Sequence, residues 1–248
     1  MTLLNMIKCL SLVFHLICAN SLFYPNNLPK EYPYHTTETA PFNPKIHTMG
    51  NVGFNGKIHA SGATAFTKII DITAYSGRNV RYEISQELAE KYKADTSILD
   101  IGCGVGTLTR ELVSSGFTNV CGIDTSPEML DYAQKIVPEA DFICGNAGLE
   151  LPKADLIISS FLMHEQPECA HIDILSTVHK SLPRKGKFVI VDICETYVPK
   201  PIMLQGEPYI EDYLENFETL VSNNEYFSVV SREEHVPKHV TIWTLQKK

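Results

Sequence analysis

The sequence predicts an α/β fold: a doubly wound, Rossmann-like sheet that is mostly parallel and ends in a C-terminal antiparallel β-hairpin. Apolar, strand-like runs alternate with helical stretches over residues 63–248, and this alternation implies a parallel sheet with helices on both faces. A glycine-rich turn, "GCGVG", follows the first of these runs. Two β-rich runs, 225–235 and 239–248, are separated by three residues. So short a link excludes a crossover helix and predicts the hairpin.

The strand candidates that precede the hairpin are short apolar runs bounded by turn or polar residues. They are residues 97–101, 119–124, 140–144, 154–161 and 187–194. Between them, one helix is predicted after Gly106, and a second begins at Ser126, which can cap it ahead of Pro127. A third runs from Pro167 to Leu182. The residues predicted on the inner faces of the first and third helices are Leu108, Leu112 and Val113, and Ile172, Leu175, Val178 and Leu182.

An acidic amphipathic helix is predicted after the fifth strand, within residues 195–220. Its aromatic stripe consists of Tyr209, Tyr213 and Phe217. A stripe at this helical spacing is interpreted as core packing.

Composition limits the classes of partner. The chain has 248 residues, of which 44% are hydrophobic, and a formal net charge of −8. Because no long basic run is present, we expect no nucleic-acid partner. The seven cysteines form no CxxC pair, and Cys121, Cys144 and Cys194 lie in apolar runs. They are predicted to be buried thiols, and the sequence indicates no disulfide framework and no metal site.

The N-terminal end differs from the rest. Residues 1–21 resemble a secretory signal peptide, with an apolar stretch too short to span a bilayer comfortably and an A-x-S pattern at Ala19 and Ser21. A hydrophobic helix or an ordinary arm is the alternative. Removal takes two of the seven cysteines and leaves an odd set of five, which suits an oxidising compartment poorly. The leader-like segment predicts the secretory pathway or an organelle, and the odd cysteine set keeps the cytoplasm as the alternative.

Residues 22–62 are rich in proline and are predicted to be an extended arm or cap. The glycines within residues 47–60 spell no phosphate-binding loop, and this stretch is interpreted as an ordered cap segment. The main domain is expected to span residues 63–248.

The glycine-rich turn predicts a ligand, because doubly wound sheets bind ligands beyond the carboxyl ends of their strands. A dinucleotide fingerprint, G-x-G-x-x-G, needs glycine at position 107, which is threonine in this sequence. The G-x-G-x-G spacing, the element order and the terminal hairpin instead resemble class I S-adenosylmethionine-dependent methyltransferases, over about residues 95–248. Stretches similar to "SSFLMHEQP", residues 159–167, occur in ubiquinone/menaquinone-type and other small-molecule methyltransferases. The resemblance implies that Gly102, Cys103, Gly104 and Gly106 form the cofactor loop.

Two acids stand where the resemblance requires them. Asp124 ends the second strand, 22 residues after Gly102; in the family this residue accepts hydrogen bonds from the ribose hydroxyls, a task that suits a carboxylate. As an alternative, Asp124 only begins the "DTSP" turn. Asp100 is implied to lie near the methionine ammonium group.

Further cofactor contacts are implied by the resemblance. Asn146 and Ala147 match the loop that contacts adenine; asparagine replaces the usual acid and keeps an acceptor without charge assistance. Thr125 and Met129 are expected to cover the adenine and ribose.

The stretch 68–85 resembles the helix that closes over the cofactor in these relatives. In it, Tyr75 is expected to pack on the sulfonium region and Arg78 to hold the cofactor carboxylate. A solvated helix face is the alternative for Arg78 and Arg81.

The sequence indicates fewer residues for the methyl-acceptor site than for the cofactor site. "SSFLMHEQP", residues 159–167, leaves the fourth strand beside the transferred methyl group, and His164 is the candidate base for an oxygen or nitrogen acceptor. As an alternative, His164 caps the next helix or packs inside. Residues 199–209 lie where such enzymes commonly build an acceptor lid.

We therefore expect a small-molecule methyltransferase that releases S-adenosylhomocysteine, with oxygen, nitrogen or carbon as the nucleophile. A non-catalytic S-adenosylmethionine-binding module is a rival hypothesis. A nucleotide-binding Rossmann enzyme is another, and Thr107 and the hairpin argue against it. The sequence does not indicate the oligomeric state.

Overall fold

The structure is a computed structural model and describes residues 53–248. The predicted signal peptide, residues 1–21, and residues 22–52 of the predicted arm lie outside the described part of the chain.

Within residues 53–248, seven strands form one sheet in the order β3-β2-β1-β4-β5-β7-β6. Their bounds are β1 Ile98–Ile101, β2 Val120–Asp124, β3 Asp141–Cys144, β4 Leu156–Ser160, β5 Lys187–Ile193, β6 Phe227–Val236 and β7 Val240–Lys247. The first five strands are parallel, whereas β7 runs antiparallel to both β5 and β6. The predicted fold class, including the terminal hairpin, is confirmed.

Seven helices in residues 53–248 cover the sheet. They are α1 Gly53–Thr73, α2 Val80–Lys91, α3 Thr107–Ser114, α4 Pro127–Ile136, α5 Glu168–Ser181, α6 Pro201–Gly206 and α7 Ile210–Asn223. As predicted, the side chain of Ser126 caps α4 by accepting the N–H of Met129. None of these helices combines the length and the apolar character needed to cross a bilayer.

Two predictions about the N-terminal part are wrong. Residues 53–62, assigned to an extended arm, belong to helix α1. The stretch 68–85 is not one helix, because α1 ends at Thr73 and α2 begins at Val80. The loop between them contains Tyr75 and Arg78, and its turn uses left-handed backbone at Ser76 and Gly77.

Both faces of the inner strands are buried, whereas the edge strands β3 and β6 are mostly exposed. Alternate residues of β1 separate the two sides: Leu99 belongs to a cluster with residues of α5 and α7, and Ile98 belongs to one with residues of α2 and α3. Burial on both faces explains why the inner strands are almost continuously apolar. Tyr213 and Phe217 are buried in the first cluster, which confirms their assignment to the core.

Two burial predictions are wrong. Ile172 is 48% exposed, and His171 takes the inward position instead. The buried stripe of α5 therefore runs from His171 through Leu175 and Val178. Cys144 is exposed because β3 is an edge strand of the sheet.

The order in which successive strands are added to the sheet changes direction between β1 and β4. From β1 the order runs outward to β2 and β3 on one side and to β4 and β5 on the other. In open α/β sheets a ligand binds at this switch point, beyond the carboxyl ends of the strands. The loops after β1, β2, β4 and β5 therefore border the expected ligand site.

Candidate active site

Gly102 lies where two of these loops meet. Its φ is +66°, and a Cβ atom there would lie 2.7 Å from Cδ1 of Leu162. Only glycine lets the turn after β1 approach the loop after β4 this closely. The N–H groups of Gly102 and Cys103 donate to the carbonyl of Ile123 at 2.7 and 3.0 Å, which ties the turn to β2. Gly106 is the N-cap residue of α3.

Gly104 faces open space instead. Its φ is +52°, and no atom of the described residues lies within 4 Å of a Cβ placed there. Its N–H donates to Oδ2 of Asp124 at 2.8 Å, and Oδ1 of Asp124 accepts the N–H of Ser126 at 2.9 Å. Asp124 thus begins the turn before α4 and also holds the glycine turn. Because a carboxylate oxygen accepts two hydrogen bonds, this arrangement also suits the paired hydroxyl groups of a ligand.

Asp100 is buried at the switch point. Its Oδ2 accepts the hydroxyl of Thr109 at 2.6 Å, whereas Oδ1 is buried with no hydrogen-bond partner among residues 53–248. Burial raises the pKa of Asp100 to about 7. An unsatisfied buried carboxyl oxygen fits a cationic ligand group, because a buried charge is stable only when it is paired.

Arg78 is engaged away from this carboxyl group. Its Nε and Nη2 donate to the Glu83 carboxylate at 2.5 to 3.1 Å, and Nη1 donates to the carbonyl of His235 at 2.7 Å. Arg78 therefore joins the start of α2 to β6. These contacts do not support its predicted role in holding a cofactor carboxylate.

Arg81 lies at the switch point instead. Its guanidinium carbon is 4.6 Å from the ring centroid of Phe161, and the same ring stacks on Tyr75 with centroids 6.1 Å apart. Phe161 has φ +58°, a strained backbone of the kind that often marks functional sites. Burial lowers the pKa of Arg81, and Asp71 and Asp100 partly offset this effect. The alternative of a solvated helix face therefore does not describe Arg81.

The other predicted cofactor contacts lie after β2 and β3. Met129 and Ala147 are buried, and Thr125 lies in the loop between β2 and α4. The side-chain oxygen of Asn146 accepts the N–H of Gly148 at 2.8 Å, so it shapes its own turn. Their contacts with adenine and ribose remain predictions.

His164 forms a buried pair with an acid on the neighbouring strand. It lies in the 3₁₀ turn Met163–Glu165 and is 6% exposed. Its Nδ1 is 2.6 Å from Oδ1 of Asp192 in β5, and Oδ2 of Asp192 accepts the N–H groups of Met163 and His164 at 2.8 and 3.3 Å. His164 does not cap α5, because the N-cap residue is Pro167.

Two further carboxylates approach the same ring. One imidazole nitrogen of His164 and carboxylate oxygens of Glu165 and Glu207 lie within 4.8 Å of one another. Burial by itself lowers the pKa of His164, but the charge and hydrogen bond of Asp192, with Glu165 and Glu207, outweigh it and raise the pKa to about 9. The ring is therefore an imidazolium at neutral pH and becomes a base in mildly alkaline solution.

Comparison with known families identifies the domain that carries these residues. A family model described as a methyltransferase domain matches residues 98–197, which run from β1 to just beyond β5. Residues 98–197 therefore match a methyltransferase domain. This domain contains the glycine turn, Asp124, His164 and Asp192.

The methyltransferase domain has relatives among curated proteins. It is 38% identical over 100 residues to an uncharacterized methyltransferase of Synechocystis, a match that covers 39% of this chain and 46% of that protein. It is 31% identical over 119 residues to a probable inactive methyltransferase of Oryza sativa, covering 47% of this chain and 31% of that protein. The chain thus spans less than half the length of these relatives.

A solved structure shares the fold of the methyltransferase domain. It is a TehB-like SAM-dependent methyltransferase from Corynebacterium glutamicum, with a TM-score of 0.57 and 21% sequence identity. The match covers 77% of this chain and 99% of that chain.

Two site residues of the methyltransferase domain escaped sequence reasoning. Asp192 is an acid inside the apolar run 187–194, and that exception to the pattern was the available signal. Glu207 lies in the predicted lid segment, where nothing in the sequence pairs it with His164. That residues 199–209 form a lid over the methyl acceptor stays a prediction. One residue of this segment, Glu207, lies close to the His164 ring.

Proposed function

We propose that the chain is an S-adenosylmethionine-dependent methyltransferase that methylates an oxygen nucleophile of a small molecule and releases S-adenosylhomocysteine. The observation that supports this choice is the buried His164–Asp192 pair at the end of β4. Hydroxyl groups are poor nucleophiles until they lose a proton, and a histidine oriented by a carboxylate performs this task. A nitrogen acceptor that arrives protonated needs the same base, whereas a carbon acceptor is less favoured by this arrangement.

The residues present fit the cofactor. Gly104 leaves open space beside Asp124, whose carboxylate suits ribose hydroxyls, and the unsatisfied Oδ1 of Asp100 suits the methionine ammonium group. Arg81, which lies over Phe161, is a better candidate than Arg78 for the methionine carboxylate. S-adenosylmethionine supplies a methyl group activated by its sulfonium charge.

His164 is proposed to take the proton from the acceptor. In the neutral ring, Nδ1–H donates to Asp192, which leaves Nε2 as the basic atom. The imidazolium that forms is stabilised by Asp192, Glu165 and Glu207. Since the pKa is about 9, about one molecule in a hundred holds the neutral base at pH 7. Most of the remaining rate enhancement is attributed to holding the two substrates in contact, worth up to ~7–11 kcal/mol.

The experiment is incubation of the protein with methyl-labelled S-adenosylmethionine and a metabolite extract, followed by mass identification of the labelled product. We expect label on an oxygen atom of a small molecule. The variant His164→Gln should lower kcat about 10²–10⁴-fold with that acceptor while cofactor affinity is retained. A product labelled on carbon, or an unchanged kcat, would contradict the proposed role of His164.

A non-catalytic module that binds S-adenosylmethionine is the second candidate function, because one of the curated relatives is named as a probable inactive methyltransferase. Such a module would bind the cofactor in calorimetry but give no labelled product from any extract. Binding without turnover would therefore favour it.

A further inference from the structure

We infer that His171 is a positioning residue for His164: its imidazole holds the turn that carries the proposed base. The inference rests on the proposed function, because it takes His164 as the base. His171 lies on α5, is 2% exposed, and has its Nε2 2.7 Å from the carbonyl oxygen of Met163. Met163 is the residue immediately before His164.

The turn is held from two sides. From β5, Asp192 accepts the N–H groups of Met163 and His164. From α5, His171 reaches the carbonyl of Met163, which also accepts the N–H of Gln166 at 3.0 Å. Both ends of the Met163 residue are therefore fixed, and the His164 ring is set against Asp192 by a backbone that cannot shift freely.

The contact defines the protonation state of His171. A carbonyl oxygen only accepts, so Nε2 must carry the proton. Burial lowers the pKa of His171, although the backbone contacts with Met163 and Gln166 and the charges of Asp192 and Glu168 oppose this effect. The ring is therefore neutral at pH 7, with its proton on Nε2.

Packing alone does not require a histidine at this position. The ring lies edge-to-face against Phe217 and Tyr213, with centroids 5.0 and 6.2 Å away, and an aliphatic side chain would satisfy this apolar surface. Tyr213 also packs edge-to-face against His164 at 6.2 Å. An aliphatic residue would lack the N–H group that His171 donates to the carbonyl of Met163.

The experiment compares three variants with the parent protein by NMR titration of the labelled imidazole rings. His171→Leu removes the donor, and His171→Gln keeps an N–H that can reach a carbonyl. His179→Leu is the matched control, because His179 lies on the same helix and packs against Tyr226 and Phe227 at 5.5 and 5.8 Å.

In the parent protein we expect the neutral Nε2–H form of His171 at pH 7. In His171→Leu the looser turn should weaken the pairing with Asp192, so that the proton affinity of His164 falls about tenfold, one pKa unit. With an identified acceptor, kcat should fall about tenfold, because small displacements of a catalytic group slow the reaction, and the cofactor KM should not change. His171→Gln should restore both quantities, and His179→Leu should leave them at the parent values.

An unchanged titration of His164 in folded His171→Leu would overturn the inference. So would a charged His171, or one with its proton on Nδ1, in the parent protein at pH 7. If His171→Leu fails to fold, the state of His171 in the parent and the titration of His164 in His171→Gln decide the question. If no acceptor is ever methylated, the proposed function fails, whereas the NMR titrations still show whether His171 positions His164.

Discussion

Replacing Asp192 by asparagine should abolish the upward shift of the His164 pKa. In the parent, burial disfavours the imidazolium, but Asp192 outweighs burial and the pKa rises from 6.5 to about 9. A rise of this size corresponds to about 3 kcal/mol of preference for the charged ring. Asparagine has nearly the same shape and lacks the charge. Burial then acts against the two glutamates alone, and we expect the pKa of His164 in Asp192→Asn to fall to 6.5 or below.

The first consequence concerns stability. A group whose folded pKa is raised above the unfolded value contributes stability that is fully present below the unfolded pKa and is lost as the pH rises through the folded pKa. For His164 the window runs from pH 6.5 to about 9. The parent should therefore lose up to about 3 kcal/mol of unfolding free energy across this window from His164. Asp192→Asn should lose none of it.

The assay is urea unfolding at pH 6 and pH 9.5, followed by the fluorescence of Trp243, which is the single tryptophan of the chain and is buried. Asp131→Asn, on the exposed side of α4, is the control for loss of one negative charge. The parent and Asp131→Asn should show the same dependence on pH, and Asp192→Asn a weaker one. Equal dependence in all three proteins would refute the coupling between His164 and Asp192.

The second consequence concerns catalysis. If neutral His164 is the base, kcat/KM in the parent should rise about tenfold per pH unit and level off near pH 9. In Asp192→Asn the inflection should move to about pH 6.5 or lower, with a plateau about 10²–10⁴-fold below that of the parent, because the ring loses its orienting partner. A parent profile that is flat between pH 7 and 9 would remove His164 as the base.

The remaining predictions concern the cofactor and the N-terminal segment. Asp124→Ala should weaken S-adenosylmethionine binding by about 1–3 kcal/mol in calorimetry, since the ribose hydroxyls lose their acceptor; an unchanged affinity would exclude the ribose contact. Because burial raises the pKa of Asp100 to about 7, the group is about half protonated at pH 7, and a cationic group placed beside it should expel about half a proton per bound ligand. Calorimetry in buffers of different ionisation enthalpy should show this release in the parent and not in Asp100→Asn. Arg81→Met should weaken cofactor binding about tenfold or more, the cost of losing a charged hydrogen bond, while Arg78→Met leaves it near the parent value; the opposite result would restore Arg78 as the carboxylate ligand. A chain that starts at residue 22 should melt cooperatively and bind the cofactor like the full chain, and aggregation of the shortened chain would make residues 1–21 part of the fold.

Sequence reasoning was sufficient for the architecture. Alternation of apolar runs with helical stretches predicts a parallel sheet, and the three-residue link before residue 239 predicts the hairpin, because both rest on local pattern and chain length. The succession of strand, tight turn and helix also located the glycine turn, and the family resemblance pointed to Asp124, whose carboxylate accepts the N–H of Gly104 in that turn. The same reasoning erred by one position on α5, where His171 and not Ile172 faces inward, because a polar ring with a buried partner was not expected in the stripe.

Only the tertiary structure decided which charges meet at the switch point. Arg78 and Arg81 are three residues apart, and nothing local distinguishes them; Glu83 and His235 engage the first, while Phe161 lies under the second. Asp192 stands 28 residues after His164, and they become partners because β4 and β5 are neighbours in the sheet. The physical reason is that local periodicity determines the elements, whereas a proton affinity depends on burial and on charges that long-range strand pairing brings within a few ångströms.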